Sequence, residues 1–164
     1  MIKNRKGFTL VELLIVIVII GILAAAMLLS SGSATDSAEA SNIISDLRSL
    51  KSAALLLHAD SMDDPAYSSL SGAPLLAAVA KYADNPDKFV PSTSGGTTTT
   101  PPWTVNGSPN DGYAIFRTDV AKDGVRTRLA SRADNVGLIG GTAATDRGKY
   151  QGRTGDTHVG MIMR

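Results

Sequence analysis

The hydrophobic pattern separates an apolar N-terminal segment from a mixed remainder. From Phe8 to Leu29 nearly every residue is apolar, and Glu12 is the one carboxylate among them. A helix of this length rises about 33 Å, close to the roughly 30 Å hydrocarbon core of a bilayer. Lipid offers the backbone no hydrogen-bonding partners, so a helix is the expected structure there. The pattern therefore predicts a membrane-spanning helix over residues 8–29.

A second helical pattern follows the apolar segment. After the small and polar residues 33–42, apolar residues recur at alternating spacings of four and three: Ile43, Leu47, Leu50, Ala54 and Leu57, with Ile44 and Leu55 beside them. This period is typical of an amphipathic helix whose apolar face is covered by the rest of the chain. A coiled-coil seam is the weaker alternative, because the stripe spans fewer than three heptads. We predict that residues 30–59 continue the first helix into one spine, with a weak point at Ser30–Gly32.

The C-terminal region, residues 60–164, begins with turn and helix signals. Asp60–Pro65 carries three carboxylates but lacks the spacing and central glycine of an EF-hand, which favours a solvated turn over a calcium site. A second helix is predicted over Pro74–Ala83, with the proline as its first residue. The Ser/Thr-rich stretch Ser92–Pro102 predicts an exposed loop, whose hydroxyls leave glycosylation open.

Strand signals dominate the rest of this region. The candidate strands are Trp103–Val105, Tyr113–Thr118 and Val125–Leu129, with weaker candidates at Val136–Ile139 and His158–Met163. In the third run Val125, Thr127 and Leu129 alternate with arginines, which favours an antiparallel strand with one packed face. Residues 106–112 and 122–124 are predicted turns, and residues 140–157 a long glycine-rich loop. The expected fold is therefore α+β, with a long helical spine packed on a small antiparallel sheet.

Composition limits the core of this chain and the way it can be stabilised. Three Phe, four Tyr and one Trp must serve the whole fold, and the absence of cysteine excludes a disulfide or a thiolate metal site. Nine acidic and four basic residues lie between Asp36 and Asp111, whereas nine basic and five acidic residues lie between Arg117 and Arg164. Opposite charges of this kind could attract neighbouring subunits, or could simply form a solvated surface, which is the simpler interpretation.

The sequence offers little enzymatic chemistry. It contains neither a phosphate-binding glycine loop nor a Gly-x-Ser-x-Gly nucleophile motif, and His58 and His158 have no ligand-spaced partner. We therefore expect no catalytic activity and no cofactor or metal. A candidate partner surface is the arginine cluster near Tyr113 and Phe116, formed by Arg117, Arg126, Arg128 and Arg132. It is the best case for nucleic-acid binding, but its small positive excess does not favour that interpretation.

The residues before the apolar run form a short basic leader. Lys3, Arg5 and Lys6 precede Gly7, and the positive-inside bias places this end in the cytoplasm. A secretory signal peptide would instead be cut after the apolar run, for which Ala24–Ala26 offers small residues. Glu12 is the unusual feature, because a carboxylate in hydrocarbon costs at least a few kcal/mol without a neutralising partner.

The run Gly7-Phe8-Thr9-Leu10-Val11-Glu12-Leu13-Leu14 resembles the N-terminal signature of type IV pilins and pseudopilins. The resemblance implies that residues 1–7 are a leader, that prepilin peptidase cuts between Gly7 and Phe8, and that the new Phe8 amine is methylated. It also implies that Glu12 pairs with the Phe8 amine of a neighbouring subunit. The physical argument agrees, because a buried anion and a buried cation can offset one another when subunits stack.

The function implied by this resemblance is structural. The chain would be a subunit of a homo-oligomeric helical filament anchored in the inner membrane, either a type IV pilus or a type II secretion pseudopilus. Its partners would be minor pilins or pseudopilins, the assembly platform and membrane lipid, with the C-terminal region periplasmic or extracellular. The alternative is a single-span membrane-anchored binding module, such as a competence pseudopilin that contacts DNA. This sequence lacks two features common in the family, a C-terminal disulfide and a proline late in the span.

Overall fold

A computed structural model of the protein describes residues 7–94 and 97–163, with the backbone alone described for residues 29–31, 92–94 and 97–99. The chain divides into two compact units, Met1–Thr35 and Asp36–Arg164. The second unit therefore contains both the amphipathic half of the predicted spine and the C-terminal region.

The spine is a single helix, α1, over Leu10–Ser61, which confirms the predicted helix with its ends shifted by two residues. It continues through Ser30–Gly32, where the sequence predicts a weak point. The predicted stripe is buried at every position: Ile43, Leu47, Leu50, Ala54 and Leu57, with Ile44 beside it. Leu55 differs, because it is 53% exposed and lies outside the stripe.

Three short helical segments follow α1. Helix α2 spans Pro65–Ser68, and the Asp64 carboxylate caps it by accepting a hydrogen bond from the Ala66 amide at 2.8 Å. Helix α3 spans Gly72–Ala80, so the predicted second helix begins two residues earlier and ends three residues sooner than expected. Pro74 is the third residue of α3, where the missing amide proton costs nothing because the first turn has no intrahelical acceptors. A 3₁₀ turn follows at Pro86–Lys88.

The predicted antiparallel sheet is present with four strands. They are β3 (Trp103–Ser108), β4 (Gly112–Arg117), β5 (Leu138–Gly141) and β6 (His158–Ile162), in the spatial order β3-β4-β6-β5. Residues 106–108 belong to β3, not to the predicted turn, and the turn is confined to residues 109–111. The sheet and the buried face of α1 share one hydrophobic core, whose single cluster includes Leu47 and Leu50 of α1 and Ile115, Val159 and Met161 of the sheet. The α+β fold class is confirmed.

Two further sequence-based predictions of local structure are wrong. The stretch Ser92–Pro102 is not wholly a loop, since it contains an antiparallel hairpin of β1 (Ser92–Ser94) and β2 (Thr97–Thr99). β-branched threonine favours extended backbone, and this preference is compatible with a polar hairpin as well as with a loop.

The second wrong prediction is the strand Val125–Leu129, which is part of helix α4, Asp123–Val136. Val125, Leu129 and Ala133 are buried at a spacing of four, whereas Thr127 is exposed. Gly137 ends the helix in the left-handed conformation (φ 75°), and its amide donates to the Ala133 carbonyl at 2.8 Å. The predicted turn at residues 122–124 is therefore the start of this helix.

The long segment between β5 and β6 is held in place without a disulfide. The Tyr150 side chain is fully buried, and its hydroxyl donates to the Asp156 carbonyl at 3.1 Å. The Tyr150 amide donates to the Leu138 carbonyl at 3.0 Å, which covers the outer edge of β5. Burial and the nearby Asp156 carboxylate raise the pKa of the Tyr150 phenol to about 12.

Gly160 provides a test of the packing around β6. A β-carbon at this position would lie 2.4 Å from the Ile115 carbonyl oxygen and 2.6 Å from the Phe116 ring. We expect Gly160→Ala to lower the free energy of unfolding by about 1–3 kcal/mol, measured by chemical denaturation, because both neighbours are fixed in β4. Gly148→Ala is the control, since the space around Gly148 is open. Equal stability of the two variants would contradict this packing.

The raised pKa of Tyr150 predicts a specific change of protein stability at alkaline pH. Its folded-state pKa lies above the unfolded value of about 10, so its stabilising contribution is complete below about pH 10 and is lost as pH rises towards 12. We expect Tyr150→Phe to cost about 1 kcal/mol at neutral pH through the lost hydrogen bond. Above pH 10 its stability, measured by denaturation at each pH, should fall less steeply than that of the unmodified protein. Parallel pH profiles would show that the buried phenol does not titrate in this range.

Candidate functional site

The N-terminus of α1 is built around a reciprocal contact between Thr9 and Glu12. The Glu12 Oε2 atom accepts hydrogen bonds from the Thr9 amide and the Thr9 hydroxyl, both at 2.8 Å. The Glu12 amide donates to the Thr9 hydroxyl oxygen at 3.2 Å. This is a capping box, in which two amides that the helix leaves unpaired obtain side-chain acceptors. The contact explains why the helix begins at Leu10, and the Thr-x-x-Glu spacing was the sequence signal for it.

The capping contact leaves the Glu12 charge uncompensated within the described part of the chain. No salt bridge to Glu12 occurs among residues 7–94 and 97–163. Lys3, Arg5 and Lys6 lie outside the described residues. The carboxylate therefore has polar contacts from its own helix but no cation among the groups that the structure places.

The Gly7–Phe8 peptide lies just before this capped helix. Residues 7–9 have no regular secondary structure, Gly7 has open space around it, and the Phe8 side chain is 89% exposed. A protease must bind its target peptide in an extended conformation, and this segment needs no helix to unwind first. The predicted cleavage position is thus accessible in the structure.

The apolar part of α1 exposes all of its large side chains. Among the described side chains from Phe8 to Leu28, every large hydrophobic residue is at least 51% exposed. α1 is long and apolar enough to cross a membrane, and its most apolar stretch buries nothing within the chain. The predicted membrane span is compatible with this arrangement, which suits single-pass anchoring.

The predicted arginine surface is not formed as the sequence suggested. Arg126 is buried on α4 and donates to the Val120 carbonyl at 3.1 Å and to the Ala121 carbonyl, besides pairing with Asp123. Arg126 therefore fixes the start of α4 and cannot contact a partner. The interpretation that Arg126 and Arg128 share the solvent face of a strand is wrong, because both lie on a helix.

The other three arginines have separate surroundings. Arg117 pairs with Asp119 at 2.5 Å and lies 5.5 Å from the Trp103 ring centroid, and the hydrogen bond to Asp119 raises the pKa of its guanidinium. Arg132 donates to the Ser41 hydroxyl at 2.8 Å, while Arg128 is exposed on α4. Two of these side chains thus serve contacts inside the chain, and a shared basic surface has little support.

Contacts between α1 and the C-terminal region use the uneven charge distribution noted above. Lys122, in the basic half, pairs with Glu39 in the acidic half at 2.6 Å, whereas Lys88 and Asp46, which pair at 2.5 Å, both lie in the acidic half. The hydrogen bond to Glu39 raises the pKa of the Lys122 ammonium group. Part of the opposite charge in the two halves is therefore neutralised within one chain, which the sequence alone did not reveal.

Each histidine contacts a residue that is close to it in sequence. The His58 ring lies 5.9 Å from the Tyr67 ring at a tilted angle, and the His158 Nδ1 atom lies 3.0 Å from the Thr157 hydroxyl. Among the described residues, no group of three or more His, Cys, Asp or Glu side chains is arranged to hold a metal ion.

Comparison with known proteins gives one match. Residues 2–28 match the prokaryotic N-terminal methylation motif, the signature of type IV pilins and pseudopilins. No curated protein and no solved structure matches the chain. The match includes Gly7, Phe8 and Glu12 and ends before the second unit of the structure begins. The protein therefore carries the N-terminal methylation motif of type IV pilin-like proteins, and this likeness is confined to residues 2–28.

Proposed function

We propose that the protein is a prepilin whose mature form is a structural subunit, a pilin or pseudopilin, of a helical filament anchored in the inner membrane. The observation that carries the proposal is the uncovered apolar face of α1, which lies within the residues that match the methylation motif. Burying one large aliphatic side chain is worth about 1.5–3 kcal/mol, so a long exposed run must be covered from outside the chain. Lipid covers it before assembly, and the helices of neighbouring subunits cover it in the filament.

Glu12 has two roles in this proposal. In the separate subunit its carboxylate caps its own helix through Thr9. During assembly the same carboxylate meets the Phe8 amine of a neighbouring subunit, a cation that exists only after cleavage behind Gly7. Since removing one member of a buried ion pair leaves the other uncompensated, this pair selects cleaved subunits and sets their register.

The remaining parts of the proposal follow from the same segment. The basic leader stays in the cytoplasm and the second unit lies on the far side of the membrane, in keeping with the positive-inside bias. Prepilin peptidase and an inner-membrane assembly platform are the partners required for cleavage and polymerisation. The filament is a type IV pilus or a type II secretion pseudopilus.

Mass spectrometry of the native protein tests the processing step. We expect the mature chain to begin at Phe8 with a methylated amine, because the Gly7–Phe8 peptide is accessible and the motif covers it. A Gly7→Leu variant, which lengthens the side chain at the cleavage position, should retain Met1. A native protein that retains Met1 would instead support a simple membrane anchor. A mature chain that begins after Ala26 would support a secretory signal peptide.

A Glu12→Gln variant separates the two roles of this residue. Glutamine also completes a capping box, so helix α1 should remain intact by circular dichroism. It carries no charge, so we expect filament formation, measured by electron microscopy of sheared material, to fall at least about tenfold.

Glu39→Gln is the matched control, since it removes a carboxylate from the same helix outside the apolar segment. Its loss of the exposed pair with Lys122 should cost under about 1 kcal/mol and leave assembly intact. Normal filaments from Glu12→Gln would mean that Glu12 acts only as a cap.

A further inference from the structure

A polar cleft lies beside β5, on the inner side of the long segment between β5 and β6. Its volume is about 400 Å³. Gly140, Gly141 and Asp156 are its buried members, whereas Arg147, Lys149 and Arg153 are exposed around it. The cleft belongs entirely to the second unit, and the filament proposal gives it no role.

Each of the two carboxylates of the cleft accepts a hydrogen bond from a backbone amide of the same segment. Asp146 Oδ2 accepts a hydrogen bond from the Ala143 amide at 3.1 Å, and Asp156 Oδ2 accepts one from the Arg153 amide at 2.8 Å. The Asp146 carboxylate also packs closely against Gly141, where a β-carbon would lie 2.5 Å from its oxygen. These two acids therefore help to hold the segment in its fold, and the cleft sets three cationic side chains, Arg147, Lys149 and Arg153, against them.

The cationic side chains of the cleft, by contrast, have N–H donors that the described residues leave available. Within the described residues, Arg147 makes only long contacts through one nitrogen, 3.4 Å to the Asn106 carbonyl and 3.3 Å to the Gly112 carbonyl. The Arg153 guanidinium makes no hydrogen bond or ion pair with any residue in the described ranges. Lys149 pairs with Asp134, but both side chains are more than half exposed, and such pairs are weak and easily redirected.

We propose that this cleft binds a small polyhydroxylated molecule that bears a carboxylate or phosphate group, such as an acidic sugar. Arg147 and Arg153 bind the anionic group, because guanidinium donors match the geometry of its oxygens. Thr142, Thr145 and Gln151, which also line the cleft, offer hydrogen bonds to hydroxyl groups. The volume lies within the usual range of small-molecule pockets, and the polar lining excludes an apolar ligand.

Calorimetric titration of the full-length protein in detergent with galacturonic acid tests this proposal. We expect saturable binding that Arg147→Gln and Arg153→Gln each weaken at least about tenfold, as for the loss of a charge-assisted hydrogen bond. Affinity should also fall as salt is raised, because the cations at the rim are exposed to screening. Arg48→Gln, which removes the same charge from the exposed side of α1, should leave binding unchanged.

Neutral galactose and inorganic phosphate complete the test. Galactose should bind at least about tenfold more weakly than galacturonic acid, and phosphate should compete for the site with lower affinity. Binding that is absent, that survives Arg153→Gln, or that is equal for galactose would overturn the proposal. Phosphate that binds as tightly as galacturonic acid would also overturn it, by showing a site for a bare anion. None of these results depends on whether filaments form.

Discussion

The exposed apolar side chains between Phe8 and Leu28 are the constraint on which the rest of this molecule depends. The described part of the chain offers nothing that covers them, so the folded protein is complete only with lipid or other helices around this segment. This requirement also explains why Glu12 needs a partner. A carboxylate is tolerated in such surroundings only with polar partners, which are the hydrogen bonds from Thr9 in its own helix and then, in our proposal, the charge of a neighbouring amine.

The second unit differs from this segment, because it buries its apolar side chains within itself. The stripe of α1 from Ile43 to Leu57 and the four-stranded sheet share one core. Where α1 lacks large apolar residues, ion pairs such as Lys122–Glu39 connect it to the C-terminal region. The long segment before β6 is fixed by the buried Tyr150, and the same folding leaves a cleft rimmed by cations with free donors. One segment is thus held in place without a disulfide and also creates a candidate site.

The parts of the chain with a long hydrophobic period or a specific sequence motif were predictable. The stripe on α1 repeats over four turns, and the methylation motif places Gly7, Phe8 and Glu12 without any tertiary information. Helix α4 was not predictable in this way, because Val125 and Leu129 are compatible with both a strand and a helix over five residues. Thr127 is the residue that separates the two, and only its exposure in the folded chain decides the matter.

Three features could be predicted from the amino-acid order: an apolar N-terminal helix with one carboxylate, an amphipathic continuation and a cysteine-free α+β region. These features follow from hydrophobic periodicity and composition, which are local properties of the chain. Tertiary structure alone decided that Arg126 is buried, that Lys122 meets Glu39, and that the residues around Gly140 enclose a polar cleft. Lys122 and Glu39 are far apart in sequence, and the burial of Arg126 depends on how α4 packs on the rest of the chain. A short-range sequence pattern specifies neither.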